Sequence, residues 1–82
     1  MMNIYKVERT DSVDYDEYDS FVIIAETESV ARYTHPAGYD IEDAARGSNS
    51  WPVLPEDLIV TLIGRSAGGI PAGVICVSFN AG

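Results

Sequence analysis

Few residues in this chain are of types that carry chemistry, and most of them lie in one acidic segment. Between residues 11 and 19 the chain has five carboxylates, two tyrosines and no basic residue: Asp11, Asp14, Tyr15, Asp16, Glu17, Tyr18 and Asp19. A calcium loop is disfavoured because Asp14-x-Asp16 lacks the central glycine, and Ala25 stands where the closing glutamate is needed. The segment is therefore interpreted either as a solvated connection between strands or as a docking surface for a basic protein. In the second case the tyrosines supply apolar contact and the carboxylates steer the partner.

The single histidine and single cysteine give little support to catalysis. His35 lies between Thr34 and Pro36, where a helix is expected to end, and the helix dipole there would favour a cationic imidazole. Cys76 is flanked by apolar residues and is interpreted as a small buried hydrophobic residue. No metal-ligand cluster, nucleophile elbow or phosphate-binding P-loop appears. We therefore expect no enzyme activity, no metal and no cofactor.

A second candidate site is suggested by the glycine-rich segment Gly64–Gly69. Backbone N–H groups in such a turn can bind an anion, and Arg65 could add a charged contact, although a plain loop needs the same glycines. Trp51 is expected to cover the core or to stack on a ligand. The alternative ligand site, built between subunits, comprises Arg9, His35, Trp51, Arg65, Ser78 and Asn80. It is expected where Gly64–Gly69, the chain end and Trp51 meet.

Composition predicts one acidic globular domain spanning residues 1–82. Hydrophobic residues make up 46% of the sequence, and the net charge is −8 at pH 7. This charge disfavours binding to nucleic acid and to anionic membranes. No signal peptide or bilayer-spanning stretch is apparent, and we expect a cytoplasmic protein.

Apolar periodicity predicts the elements that position these residues. A first strand is expected over Asn3–Thr10, with Tyr5 and Val7 on one side, and a central strand over Ser20–Glu26. A short helix should begin at the N-cap Thr27 and end before Pro36. Its buried stripe is expected to comprise Val30, Ala31, Tyr33 and Thr34.

The C-terminal part of the chain is interpreted as a β-hairpin formed by Leu58–Ile63 and Val74–Phe79. Residues 36–55 before it are irregular, with one short helix expected over Ile41–Arg46. The predicted fold is α+β: a four-stranded antiparallel sheet in ββαββ order with one helix on one face. Both faces of the hairpin are fairly apolar, which favours a homo-oligomer.

The sequence also resembles a group of short tailed-bacteriophage proteins that end in Ser-Phe-Asn-Ala-Gly. The resemblance depends on Ile4–Asp11, Tyr15–Val22, Thr34–Pro36, Trp51 and Ser78–Gly82. It implies a phage context in an infected bacterial host but no chemistry. The leading hypothesis is a non-catalytic phage accessory protein that binds and inhibits a host protein, such as a defence component, through the acidic Tyr/Asp surface. The alternatives are an oligomeric sponge for a nucleotide signalling molecule and a structural accessory of the virion.

Overall fold

The computed structural model describes residues 2–12, 16–38, 51 and 55–80. These residues form four strands, one α-helix and one turn of 3₁₀ helix, and they confirm the predicted ββαββ order and α+β class. The elements are β1 (Asn3–Arg9), β2 (Glu17–Ala25), α1 (Glu28–Arg32), the 3₁₀ turn (Pro55–Asp57), β3 (Leu58–Arg65) and β4 (Gly73–Asn80). The helix expected over Ile41–Arg46 lies outside the described residues.

The sheet is antiparallel throughout, with the spatial order β3-β1-β2-β4. Strands β3 and β4 therefore lie at opposite edges, and the predicted pairing between them is wrong. β1 pairs on both sides, so that Tyr5 lies opposite both Ile23 and Leu62. Residues 66–72 carry the chain from one edge of the sheet to the other. Apolar periodicity identified both strands but carries no information about which neighbour each one pairs with.

One face of the sheet carries the core. Tyr5 and Val7 of β1 are buried against Phe21 and Ile23 of β2, as the alternation in the first strand predicts. Trp51 closes the core, and its ring meets Phe21 edge-on with 5.5 Å between centroids. This confirms the expectation that Trp51 covers the core. On the opposite face β1 presents Lys6 and Glu8, which form an ion pair at 3.6 Å.

The helix begins as predicted but is shorter than expected. The Thr27 hydroxyl accepts a hydrogen bond from the Val30 N–H at 3.3 Å, as an N-cap does. Since α1 is little more than one turn, only Ala31 is buried, whereas Val30 and Tyr33 are exposed. The predicted four-residue stripe is therefore wrong. Among the described residues no helix is long and apolar enough to cross a membrane.

Cys76 is exposed, contrary to the expectation of a buried thiol. The reason is the position of β4 at the sheet edge, with Cys76 paired to Val22 on the face opposite the core. Apolar neighbours on both sides predict burial for Cys76, but the residue lies on the face of the sheet that carries Lys6 and Glu8, away from the core.

Candidate functional site

The acidic segment is organised around the guanidinium of Arg9, at the end of β1. Arg9 Nε and Nη2 donate to the two carboxylate oxygens of Asp11 at 2.7 and 2.9 Å. Arg9 Nη1 donates to Glu17 Oε1 and to the Tyr18 carbonyl, both at 3.0 Å, and Nη2 donates to the Ser12 carbonyl at 2.9 Å. A guanidinium has five N–H groups, so every donor of Arg9 is engaged.

The Arg9 side chain is only 2% exposed, although it carries a full charge. Its guanidinium carbon lies 5.7 Å from the centre of the Trp51 ring, within range of a cation–π interaction. The hydrogen bond to Asp11 raises the pKa of Arg9 and lowers the pKa of the Asp11 carboxyl. Both groups are therefore held in their charged forms, and Arg9 has no donor left for a ligand.

The acidic turn, defined here as residues 11–19, is held at both ends. Arg9 holds Asp11, the first residue of the turn, and Glu17, near its end. Beside Glu17, the Asp16 N–H donates to the Asn80 carbonyl of β4 at 2.6 Å. Asp16 has a φ of 60°, a left-handed conformation that aspartate adopts more readily than most residues. Asp14 and Tyr15 lie outside the described residues.

The predicted docking residues do not share one orientation. Tyr18 packs against the core, with its ring edge-on to His35 and Phe79 at centroid distances of 5.9 and 4.8 Å. The Glu17 side chain is 13% exposed and is directed to Arg9. Asp16 is exposed and Asp19 is half-buried. Among the described residues of the turn, the surface available to a partner is made by Asp11, Asp16 and Asp19, while Tyr18 and Glu17 support it from within.

His35 is a buried residue at the same end of the core, with 1% exposure. Its Nδ1 accepts a hydrogen bond from the Ala37 N–H at 2.9 Å, which requires an unprotonated Nδ1. Burial lowers the pKa of His35, so the imidazole is neutral near pH 7. The expected cationic imidazole is therefore wrong, because α1 ends at Arg32 and His35 is buried against Tyr18 of β2 instead of lying at a solvated helix end.

The structure brings only part of the alternative ligand site together within one chain: Arg9, Trp51, His35 and Asn80 lie at one end of the sheet, whereas Arg65 and Ser78 lie elsewhere. Arg65 pairs with Asn3, whereas Arg9 lies at the other end of β1, roughly 20 Å away along an extended strand. Ser78 is opposite Ser20 on the face away from the core. Asn80 pairs with Glu17 and so lies near Arg9. Among the described residues, Gly64 lies opposite Ile4 and Asn80 lies opposite Glu17, so the glycine-rich segment does not meet the described end of β4.

The beginning of the glycine-rich segment Gly64–Gly69 makes hydrogen bonds that stabilise the fold. Ser66 is buried, and both its N–H and its hydroxyl donate to the Met2 carbonyl, at 2.9 and 3.2 Å. These contacts fix the crossing of residues 66–72 over the end of the sheet. Within the part of the chain that the structure describes, no group of three or more His, Cys, Asp or Glu side chains could hold a metal ion.

Sequence reasoning missed the role of Arg9, although a signal for it was present. The acidic segment contains no basic residue, and Arg9 immediately precedes it at the end of a predicted strand. A lone cation beside so many carboxylates is a natural centre for them. The burial of the Arg9 side chain could not be predicted from the sequence, since arginine is seldom fully buried unless it is paired.

Comparison of the chain with protein-family models, with curated proteins and with solved structures finds no match.

Proposed function

We propose that this chain is a non-catalytic protein that binds a basic surface of another protein through its acidic turn. In the phage setting that the sequence resemblance suggests, the partner is a bacterial host protein such as a defence component, which the binding inhibits. The observation that carries the proposal is the saturated guanidinium of Arg9, which holds Asp11, the first residue of the turn, and Glu17, near its end.

Anchoring of the turn favours recognition in two ways. Residues that are held before binding, here Asp11, Asp16 and Glu17, lose less conformational freedom on binding, so more of the contact energy appears as affinity. The positive charge of Arg9 is also buried and paired, so it does not repel a basic partner from the exposed carboxylates. Exposed Asp16 and the remaining carboxylates of the turn then steer a basic surface towards this end of the sheet.

The nucleotide sponge and the virion accessory remain alternatives without a specific supporting contact. A phosphate bound at Arg9 would have to displace Asp11 or Glu17, both of which already carry the charge that suits a guanidinium. Arg65 is exposed but lies at the far end of the sheet. Within one chain, the geometry thus favours a protein partner over an anionic ligand.

A capture experiment with matched charge variants tests the proposal. The turn variant is Asp16→Asn with Asp19→Asn, because asparagine tolerates the left-handed conformation of residue 16. Glu17 is left intact because it holds Arg9. The control is Glu26→Gln with Glu56→Gln, two exposed positions outside the turn, and it removes the same amount of charge.

Each immobilised protein is incubated with bacterial lysate, and the captured proteins are quantified by mass spectrometry. We expect at least one protein that is retained by the original chain and by the control but is lost from the turn variant. Identical sets of captured proteins from all three would contradict the proposal.

A further inference from the structure

Strand β4 is an edge of the sheet that carries no charged side chain, in a protein with a net charge of −8. An edge strand presents backbone N–H and C=O groups to any strand that lies beside it. The apolar side chains Ile75, Val77 and Phe79 are 56%, 44% and 43% exposed. β4 thus has both the backbone groups and the apolar side chains with which an added strand pairs.

The other edge, β3, also exposes apolar side chains, with Ile59, Leu62 and Ile63 at 53%, 55% and 54%, but it has an arginine at each end. The Arg32 guanidinium donates from Nη1 to the Leu58 carbonyl at 3.0 Å, at the beginning of β3. The exposed Arg65 ends the same strand. Charged side chains placed along an edge are a common means of preventing strand addition. The two edges therefore differ in charge and not in apolar exposure, and the absence of charge along β4 favours it as the edge to which a strand is added.

We infer that β4 pairs with β4 of a second copy of this chain, antiparallel about a two-fold axis near Cys76. An uncharged apolar strand is complementary to itself, whereas β4 has no carboxylate with which to select a basic foreign strand. The pairing joins two four-stranded sheets into one continuous sheet. Because two-fold pairing consumes both β4 edges, and the arginines at the ends of β3 disfavour further addition there, the assembly closes at two copies.

Charge distribution selects the antiparallel arrangement. The acidic turn lies beside Asn80, to whose carbonyl Asp16 donates. Antiparallel pairing places this end of β4 beside Gly73 of the second copy, where the adjoining residues 66–72 have no charged side chain. Parallel pairing would bring two acidic turns side by side, which like-charge repulsion opposes. The dimer therefore leaves both acidic turns at distant ends.

Two variants that add the same charge to the same face test this geometry. Cys76→Glu places carboxylates opposite each other at the axis, while Thr61→Glu adds one at an exposed position of β3. Native mass spectrometry should give two copies for the original chain and for Thr61→Glu, and one copy for Cys76→Glu. Circular dichroism establishes that each variant is folded.

Oxidation of the unmodified protein provides a second readout. Paired strands bring opposing Cα atoms to about 4.5 to 5.5 Å, within the range that a disulfide spans. Mild oxidation should therefore link two chains through Cys76. The inference would be overturned by a single-copy mass or an open polymer for the original chain. It would also be overturned by a dimer that is lost in Thr61→Glu but kept in Cys76→Glu, or by a dimer that forms no Cys76 link.

Discussion

Arg9 and Asp11 form a two-point ion pair in which Nε and Nη2 of the guanidinium donate to the two carboxylate oxygens at 2.7 and 2.9 Å. The Arg9 side chain is 2% exposed, and that of Asp11 is 35% exposed. The pair therefore joins the buried end of β1 to the solvated acidic turn. It converts part of a repulsive cluster of carboxylates into a fixed element of the fold.

Replacement of Arg9 by methionine should destabilise the protein strongly. The substitution leaves the Glu17 carboxylate and the Tyr18 carbonyl without their donor, and a hydrogen bond to a charged group typically contributes about 1.5 to 3 kcal/mol. Urea unfolding followed by Trp51 fluorescence measures the change. Arg65→Met, at an exposed position, is the control and should change the free energy of unfolding by less than about 0.5 kcal/mol. Equal effects of the two substitutions would show that Arg9 has no special structural role.

Asp16 should tolerate only residues suited to its backbone conformation. With φ at 60°, Asp16→Val should destabilise the protein by about 1 to 2 kcal/mol, because a β-branched residue is strained in the left-handed region. Asp16→Gly and Asp16→Asn should leave the free energy of unfolding nearly unchanged. Thermal or urea unfolding of the three variants checks this order. A valine variant as stable as the glycine variant would contradict it.

His35 should make stability depend on pH below its ordinary pKa of 6.5. Burial lowers the pKa in the folded protein, so below that value the unfolded chain binds a proton that the folded chain does not. The free energy of unfolding should therefore be constant above 6.5 and fall as the pH drops towards the folded pKa. The lowered pKa of Asp11 also makes stability fall at low pH, but only below the ordinary Asp11 pKa of 3.8, which lies outside this pH range.

His35→Asn isolates this contribution. Asparagine keeps an acceptor for the Ala37 N–H but cannot be protonated. Its free energy of unfolding should be lower overall and should vary less between about pH 7.5 and about pH 5 than that of the original protein. Urea unfolding at a series of pH values measures both slopes. If the slope persists unchanged in the asparagine variant, another group is responsible for it.

The N-cap of α1 offers a smaller test of local structure. Thr27→Ala removes the hydroxyl that accepts from the Val30 N–H and should cost about 1 kcal/mol, whereas Thr27→Ser keeps an acceptor and should cost less. Chemical denaturation compares the two variants. A serine variant that is no more stable than the alanine variant would show that the hydrogen bond is unimportant.

The strands and the start of the helix could be predicted because their signals are local. Alternation placed Tyr5 and Val7 in the core, and the residue types around Thr27 indicated a helix start. Strand order is not local. The run Val74–Phe79 would look the same beside β3 as it does beside β2, so its edge position and the exposure of Cys76 were not predictable.

The site was only partly predictable for a related reason. The acidic turn could be recognised from composition, and its carboxylates were identified as its main feature. Which carboxylates face solvent depends on the position of Arg9, and that position depends on how Trp51 packs far along the chain. Likewise, the charge state of His35 depends on its burial. The predicted helix ends beside His35, whereas α1 ends at Arg32 and His35 is buried.

The most direct test of the central claim is the affinity of a captured protein partner for the original chain, the turn variant and the control variant. Calorimetry at low and physiological salt should show binding weakened about tenfold or more by Asp16→Asn with Asp19→Asn, which corresponds to about 1.4 kcal/mol. Glu26→Gln with Glu56→Gln should leave the affinity within about twofold, and added salt should weaken the original complex. Equal affinities for the turn and control variants would contradict recognition through the acidic turn.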